Sequence, residues 1–331
     1  MKLSAGAVMV LLFALLAMPS VAEAQLTPST HRIGLLSPFR SNEAATQPLQ
    51  VAFVGALRER GWTEGQNFVL EARYAGGRHE QFAHFAEDLV RVNVDVLVAW
   101  VTAAARAAQS ATKKIPIVTV YVGDPVQLGF ATTLSRPGGN ITGLTFVPAF
   151  EVYAKQVALL NEVVPTASVV GVLWNPHNPA HTFMVRETEA GARALGLKFR
   201  PIRVPAPEQI DAAFAELARE RSAVALVVAD AMFGVMRARL LELAAQHRLP
   251  TMYGSREYVD AGGLLSYGPD QLEHARRAAY YVDRILRGAV PAELPMEQPR
   301  RMELAINART ANALGIKVPA AVLLQADHIV D

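Results

Sequence analysis

The chain runs to 331 residues, roughly twice the length of one average domain, so two lobes are the default expectation. With 51% hydrophobic and 19% charged residues it can bury a large core, which excludes a disordered chain. A formal charge of +2 without a basic block interleaved with aromatics excludes an evident nucleic-acid partner, and the lack of cysteine excludes disulfides, thiolate metal sites, cysteine nucleophiles and N-terminal cysteine lipidation. Lys2 precedes an unbroken run of apolar residues and glycine over 5–18, and Ala22 and Ala24 place small residues at −3 and −1 of a cut after Ala24. This is the pattern of a secretory signal peptide over 1–24, its apolar run being shorter than the roughly 20 residues of a spanning helix. The expected mature chain begins at Gln25 and is exported.

Residues 33–37 are a short apolar run closing in a polar turn at Ser37. Leu49, Val51–Phe53, Ala56 and Leu57 then fall on one helical stripe, with Pro48 where a first-turn proline is tolerated and Gly61 as the stop. Alternation over 68–74 predicts a strand. Phe82, Phe85, Ala86 and Leu89 restore the helical period. A buried strand is expected over 94–101, an alanine-rich helix over 103–112 and a β-branched strand over 115–122. The Gly/Pro-rich stretch 136–140 precedes 141–146, where the first passage between lobes is expected. Further strands are predicted at 168–174, 197–204, 223–229, 251–253 and 264–267, and helices at about 150–163, 178–195, 207–221, 232–247 and 269–287. Beyond Gly288, Pro291, Pro295 and Pro299 predict an extended connector rather than packed structure. A strand over 302–306 and a helix over 307–314, ended by Gly315, complete the chain. Apolar strands alternating with helices imply right-handed βαβ units in parallel sheets covered on both faces. The expected fold is α/β, with two doubly wound parallel-sheet lobes joined by a hinge. A (β/α)₈ barrel is the alternative.

Catalytic and metal signatures are weak. His79 and His84 are five residues apart, whereas one helix face needs i, i+4. His177 and His181 have that spacing, but Pro179 lies between them and no third ligand is evident. There is no G-x-S-x-G elbow, P-loop or G-x-G-x-x-G fingerprint. No catalytic residue, metal or cofactor is therefore expected.

In open α/β sheets ligands bind beyond the carboxyl ends of the strands. Ser37, Thr102 with Ala103, and Asp124 are the candidates in the first half. Thr102 opens a helix whose free N–H groups favour a carboxylate, or it is simply an N-cap. Asp124 either meets a ligand ammonium or caps the next helix. In the second half Asn175 offers an amide, Asp230 balances a cation or caps a helix, and Glu257 is a further acid. Tyr267 and Phe146 are aromatic walls or ordinary packing. Trp62 and Trp100 are read as core.

Gly123-Asp124-Pro125-Val126, residues 135–143 (SRPGGNITG), Tyr267-Gly268-Pro269-Asp270 and the ending 305–319 (AINARTANALGIKVP) resemble the ABC-transporter substrate-binding proteins of the tryptophan/tyrosine-binding type. The resemblance covers about 31–330 and implies a type I periplasmic binding fold with a solute held between lobes. It places 31–146 with 270–297 in one lobe and 148–268 with 299–331 in the other. It further implies a receptor for a small solute, an aromatic amino acid being favoured, that docks on an ABC permease and its ATPase at the inner membrane. Without a lipobox cysteine, a freely diffusing periplasmic protein is expected. An exported enzyme using the same cleft, or a sensory module for a membrane receptor, are the alternatives.

Overall fold

The first half of the chain folds as the alternation of its apolar runs requires. In a computed structural model that describes residues 30–41, 46–146, 152–220 and 223–331, the order is β1 (His31–Ser37), α1 (Thr46–Arg58), β2 (Phe68–Tyr74), α2 (Gln81–Arg91), β3 (Val96–Ala99), α3 (Thr102–Ala111), β4 (Ile117–Val122) and β5 (Ile141–Thr145). These strands form one sheet, β2-β1-β3-β4-β5, parallel throughout. Strand period 2 sorts its residues cleanly. Val96 and Val98 join Ile33, Leu35 and Phe53 in one core, whereas Leu97 and Ala99 join Leu36, Phe82 and Leu89 in the core of the other face. The expected signal peptide at 1–24 and its cut lie outside the described residues.

The second half continues with α4 (Val152–Val163), β6 (Val169–Trp174), α5 (His181–Ala194), β7 (Lys198–Arg203), α6 (Ile210–Leu217), β8 (Ala223–Val227), α7 (Ala231–Val235), α8 (Arg237–Gln246), β9 (Thr251–Tyr253), α9 (Arg256–Asp260) and β10 (Leu265–Gly268). Then come α10 (Gln271–Leu286), β11 (Glu303–Asn307), α11 (Ala308–Leu314), α12 (Ala320–Leu323) and β12 (His328–Val330). The second sheet runs β12-β11-β10-β9-β8-β6-β7, with only β10 and β11 antiparallel. Phe214, Phe233 and Leu240 cover one face, and Tyr153, Leu160 and Met184 the other. Two open sheets, not one closed barrel, carry the chain.

Helix α10 crosses back to the first sheet. Its Ala275, Ala278, Ala279 and Val282 fill the core beside Phe53 and Val98. The chain therefore leaves the first sheet after β5, returns to it with α10 and rejoins the second sheet at β11.

Two departures from the sequence reading have physical causes. The proline-rich stretch after Gly288 is packed, not merely extended. Pro291–Glu293 is a 3₁₀ turn, Met296 is 4% exposed, and Glu297 pairs with Leu144. The Met296 N–H donates to Leu134 O (2.7 Å), the Glu297 N–H to Gly143 O (2.8 Å), and the Thr145 N–H to Glu297 O (2.9 Å). β5 is an edge strand, and this segment satisfies backbone groups it would otherwise leave open. The helix expected over 232–247 is two helices, broken at Met236 (φ −91°, ψ 13°). An apolar stripe alone does not reveal such a break.

Glycine is required at two close backbone approaches, one in each sheet. Gly143 has φ +126°, and a Cβ there would lie 2.2 Å from Thr119 O, at the register shift between β4 and β5. A Cβ on Gly268 would lie 1.8 Å from Gly254 O, so this crossing is passable only without a side chain.

Candidate functional site

The carboxyl ends of β3, β4, β8 and β9 face a cavity of about 740 Å³ between the lobes. Trp100, Thr102 and Tyr121 come to it from the first sheet, Phe146 and Asp270 from the crossings, and Asp230, Arg237 and Glu257 from the second sheet. Val101, also in its wall, has φ +94° and ψ 159°, a strained conformation for a β-branched residue. It immediately precedes α3, so the first N–H groups of that helix, which have no partner within the helix, begin at this wall. The buried Thr102 Oγ1 accepts the Gly123 N–H (3.2 Å) and keeps its own hydrogen to donate.

Aromatic groups line the hinge side. The Tyr121 ring lies 4.9 Å from that of Phe146 and 5.0 Å from that of His274, and its hydroxyl donates to Pro269 O (3.3 Å). Burial, then the Glu257 and Asp270 carboxylates, push the Tyr121 hydroxyl well above its ordinary value, so it remains a donor. His274 reaches Asp270 O and Thr145 O, each at 3.0 Å, tying α10 to the end of β5.

Glu257 is the unbalanced group. Its Oε2 is buried and accepts no hydrogen bond. Burial pushes its carboxyl above the ordinary value, although its own backbone N–H, Ser255 and Arg237 oppose the shift. A buried carboxylate oxygen with no donor is costly to leave unmatched.

Asp230 is the opposite case. Its side chain is fully buried, and Oδ1 accepts the Met232 N–H (2.9 Å) and Asn175 Nδ2 (3.2 Å), while Oδ2 accepts Asn178 Nδ2 (2.9 Å). His181 Nε2 stands 3.5 Å from Oδ2, and His79 Nε2, from the first lobe, 3.6 Å from Oδ1. Burial pushes this carboxyl up, but the two histidines and the two asparagine amides outweigh it and hold it below the ordinary value. His181 Nδ1 accepts the Asn175 N–H (2.9 Å), which leaves its proton on Nε2, facing Ala229 O (3.1 Å). Burial lowers its pKa and favours that neutral form.

Of the candidates named from sequence, Thr102, Phe146, Asp230 and Glu257 meet at this cavity. Others are elsewhere. Ser37 Oγ accepts the Phe39 N–H (3.3 Å) in the turn after β1. Asp124 Oδ1 accepts the Val126 and Gln127 N–H groups (2.9 and 3.1 Å), so its carboxylate caps a turn. Ala103 and Asn175 face a second, outer cavity. The Tyr267 ring packs against core residues, and its carbonyl accepts Gln156 Nε2 (2.7 Å). Trp100, read as core, is 5% exposed and also forms cavity wall. Trp62 is core, donating to Asp283 (2.8 Å). Tyr121 and Arg237 line the cavity without any motif that singles them out, and Asp270 stands in the sequence only as the end of the Tyr267–Asp270 motif. The strand pattern over 115–122 was the only available signal for Tyr121, and it does not say which strand end opens onto a cleft.

Residues 44–330 match the ABC transporter substrate binding protein family. The chain belongs to that family. Among curated relatives of this substrate-binding protein is the tyrosine-binding protein of Clostridioides difficile (strain R20291), 24% identical over 277 residues, covering 84% of this chain and 78% of the relative. A Vibrio cholerae conserved domain protein matches with a TM-score of 0.84 at 28% identity, over 91% of this chain and 100% of that one. An ABC domain from Streptococcus pneumoniae, crystallised with L-Trp, matches with a TM-score of 0.83 at 25% identity over the same shares.

Proposed function

We propose that this substrate-binding protein is an exported, periplasmic receptor that clamps an amino-acid zwitterion, aromatic favoured, and delivers it unaltered to an ABC permease and its ATPase for import. The observation that carries the reading is Glu257, a buried, unmatched carboxylate oxygen in the same cavity as the N-terminus of α3. A ligand ammonium satisfies Glu257. The ligand carboxylate faces the N–H groups and partial positive charge at Thr102. Tyr121 and Phe146 supply a flat apolar wall for the side chain. The tyrosine- and tryptophan-binding relatives fit this chemistry. In this reading Asp230, whose carboxylate is turned to His79, His181 and the two asparagine amides, and Asp124, which caps its turn, are not ligand contacts. Ser37, Ala103, Asn175 and Tyr267 likewise belong to the surroundings of the site.

The lobes of the proposed clamp are 31–146 with 270–297, and 148–268 with 299–331. Packing of α10 on the first sheet and of β11 and β12 in the second supports this division. Solute touching both lobes favours the closed form only through contacts that the open form lacks. Isothermal calorimetry of the purified mature chain with the twenty amino acids tests the proposal. Saturable binding of L-tyrosine or L-tryptophan, lost in Glu257→Gln, is the expected result. No binding of any amino acid overturns it.

A further inference from the structure

The inner cavity and the outer one, about 1410 Å³, share no lining residue, yet the chain passes from one to the other between adjacent positions. Phe39 faces the inner space and Arg40 the outer; Ala231 faces inward and Met232 outward; Gly234 faces inward and Val235 outward. A thin wall therefore separates them, and it is built from both lobes. A Cβ on Gly77 would stand 3.5 Å from Met232 Cα and Val235 Cγ2, and one on Gly234 would stand 3.2 Å from the Phe39 ring. In the middle of this wall His79 of the first lobe points at Asp230 of the second, Nε2 to Oδ1, at 3.6 Å.

The two partners are unequally prepared. Asp230 is held rigid by two asparagine amides and a backbone N–H, with His181 behind it. The His79 side chain is 9% exposed, and neither ring nitrogen has a hydrogen-bond partner. A nearly buried ring with two unspent polar atoms, one of them a few tenths of an ångström beyond hydrogen-bond range of a buried carboxylate, gains a charge-assisted contact on slight closure. Opening of the lobes separates the pair.

The geometry points to His79 and Asp230 as an interlobe latch, so that His79 sets how long a solute is retained although it does not line the inner cavity. The retention part of this inference rests on the solute-receptor reading above; the latch itself does not. The native chain has no cysteine, so Val51→Cys and Leu324→Cys, at side chains 70% and 88% exposed, give one label site on each lobe. Spin-label distances without solute are expected to lengthen and broaden when His79→Ala is added. Stopped-flow release of L-tyrosine or L-tryptophan is expected to be about tenfold faster in His79→Ala, with the association rate little changed. His79→Gln, which keeps a donor, restores part of the slow release. With Asp230→Asn, His79→Ala has no further effect on release, a non-additivity that loss of fold alone does not produce. An unchanged interlobe distance in His79→Ala, or release rates that simply multiply in the double variant, overturns the latch. If neither amino acid binds, the receptor reading fails, while the distances still decide whether the latch exists.

Discussion

The ring of Tyr121, at the end of a first-lobe strand, lies 4.9 Å from the ring of Phe146 at the first crossing, and the Tyr121 hydroxyl donates to Pro269 O at the second. One side chain thus joins the cavity wall to two of the passages between lobes. Tyr121→Ala removes both the wall and the tie, and binding of aromatic amino acids is expected to weaken by at least tenfold in calorimetry. Tyr121→Phe removes only the hydroxyl contact. It is expected to lower stability by about 1 kcal/mol, with affinity nearly retained.

Glu257→Gln separates stability from binding. Because burial raises the Glu257 carboxyl in the fold, the native state binds its proton more readily than the unfolded chain does. At neutral pH the ionised group therefore opposes folding, and the penalty is relieved as pH falls through the raised value. The amide carries no such penalty, so the melting midpoint of the solute-free variant is expected to rise by roughly 2–4 °C while amino-acid binding is lost.

The same shift sets a pH dependence of binding. Below the raised value Glu257 is neutral, and a ligand ammonium loses its counter-charge. Affinity for an amino acid is expected to fall as the solution is acidified through that raised value, each bound ligand releasing a fraction of a proton. Calorimetry in buffers of different ionisation enthalpy checks the direction of proton release.

Gly143→Ala and Gly268→Ala are expected to destabilise strongly, by about 3 kcal/mol or more, because the added methyl meets backbone oxygen rather than a yielding side chain. Urea melts measure this. A loss below about 1 kcal/mol in both is incompatible with the crossing geometry described.

Arg277 and Glu297 form a two-bond pair (2.8 and 2.5 Å) that fastens the packed connector to α10. Burial pushes the Glu297 carboxyl up, and Arg277 more than offsets it, leaving the carboxyl below its ordinary value. Its stabilisation is present above the unfolded-state value and is lost as pH falls through the depressed one. Glu297→Gln is expected to cost about 1 kcal/mol at neutral pH, a difference from the parent that disappears in acid melts.

What the sequence by itself determined is the order of most strands and helices (not the short α9, α12 and β12), the two-lobed α/β architecture and the family, because runs such as 223–229 and the stripe around Phe53 are local in the chain and leave a local period. The site was legible only as a set of strand ends. Asp124 and Asp230 both follow apolar strands and carry the same local signal, and both cap the turn that follows, yet only Asp230 is also buried among groups from two distant segments, His79 and 175–181. His79, which completes the surroundings of Asp230, is 151 residues earlier in the chain. Only the tertiary structure decided which carboxylate is left unmatched, which aromatic ring reaches the crossings and which lobe supplies the opposing group. Side-chain direction and burial at a strand end depend on distant segments, and periodicity does not encode them.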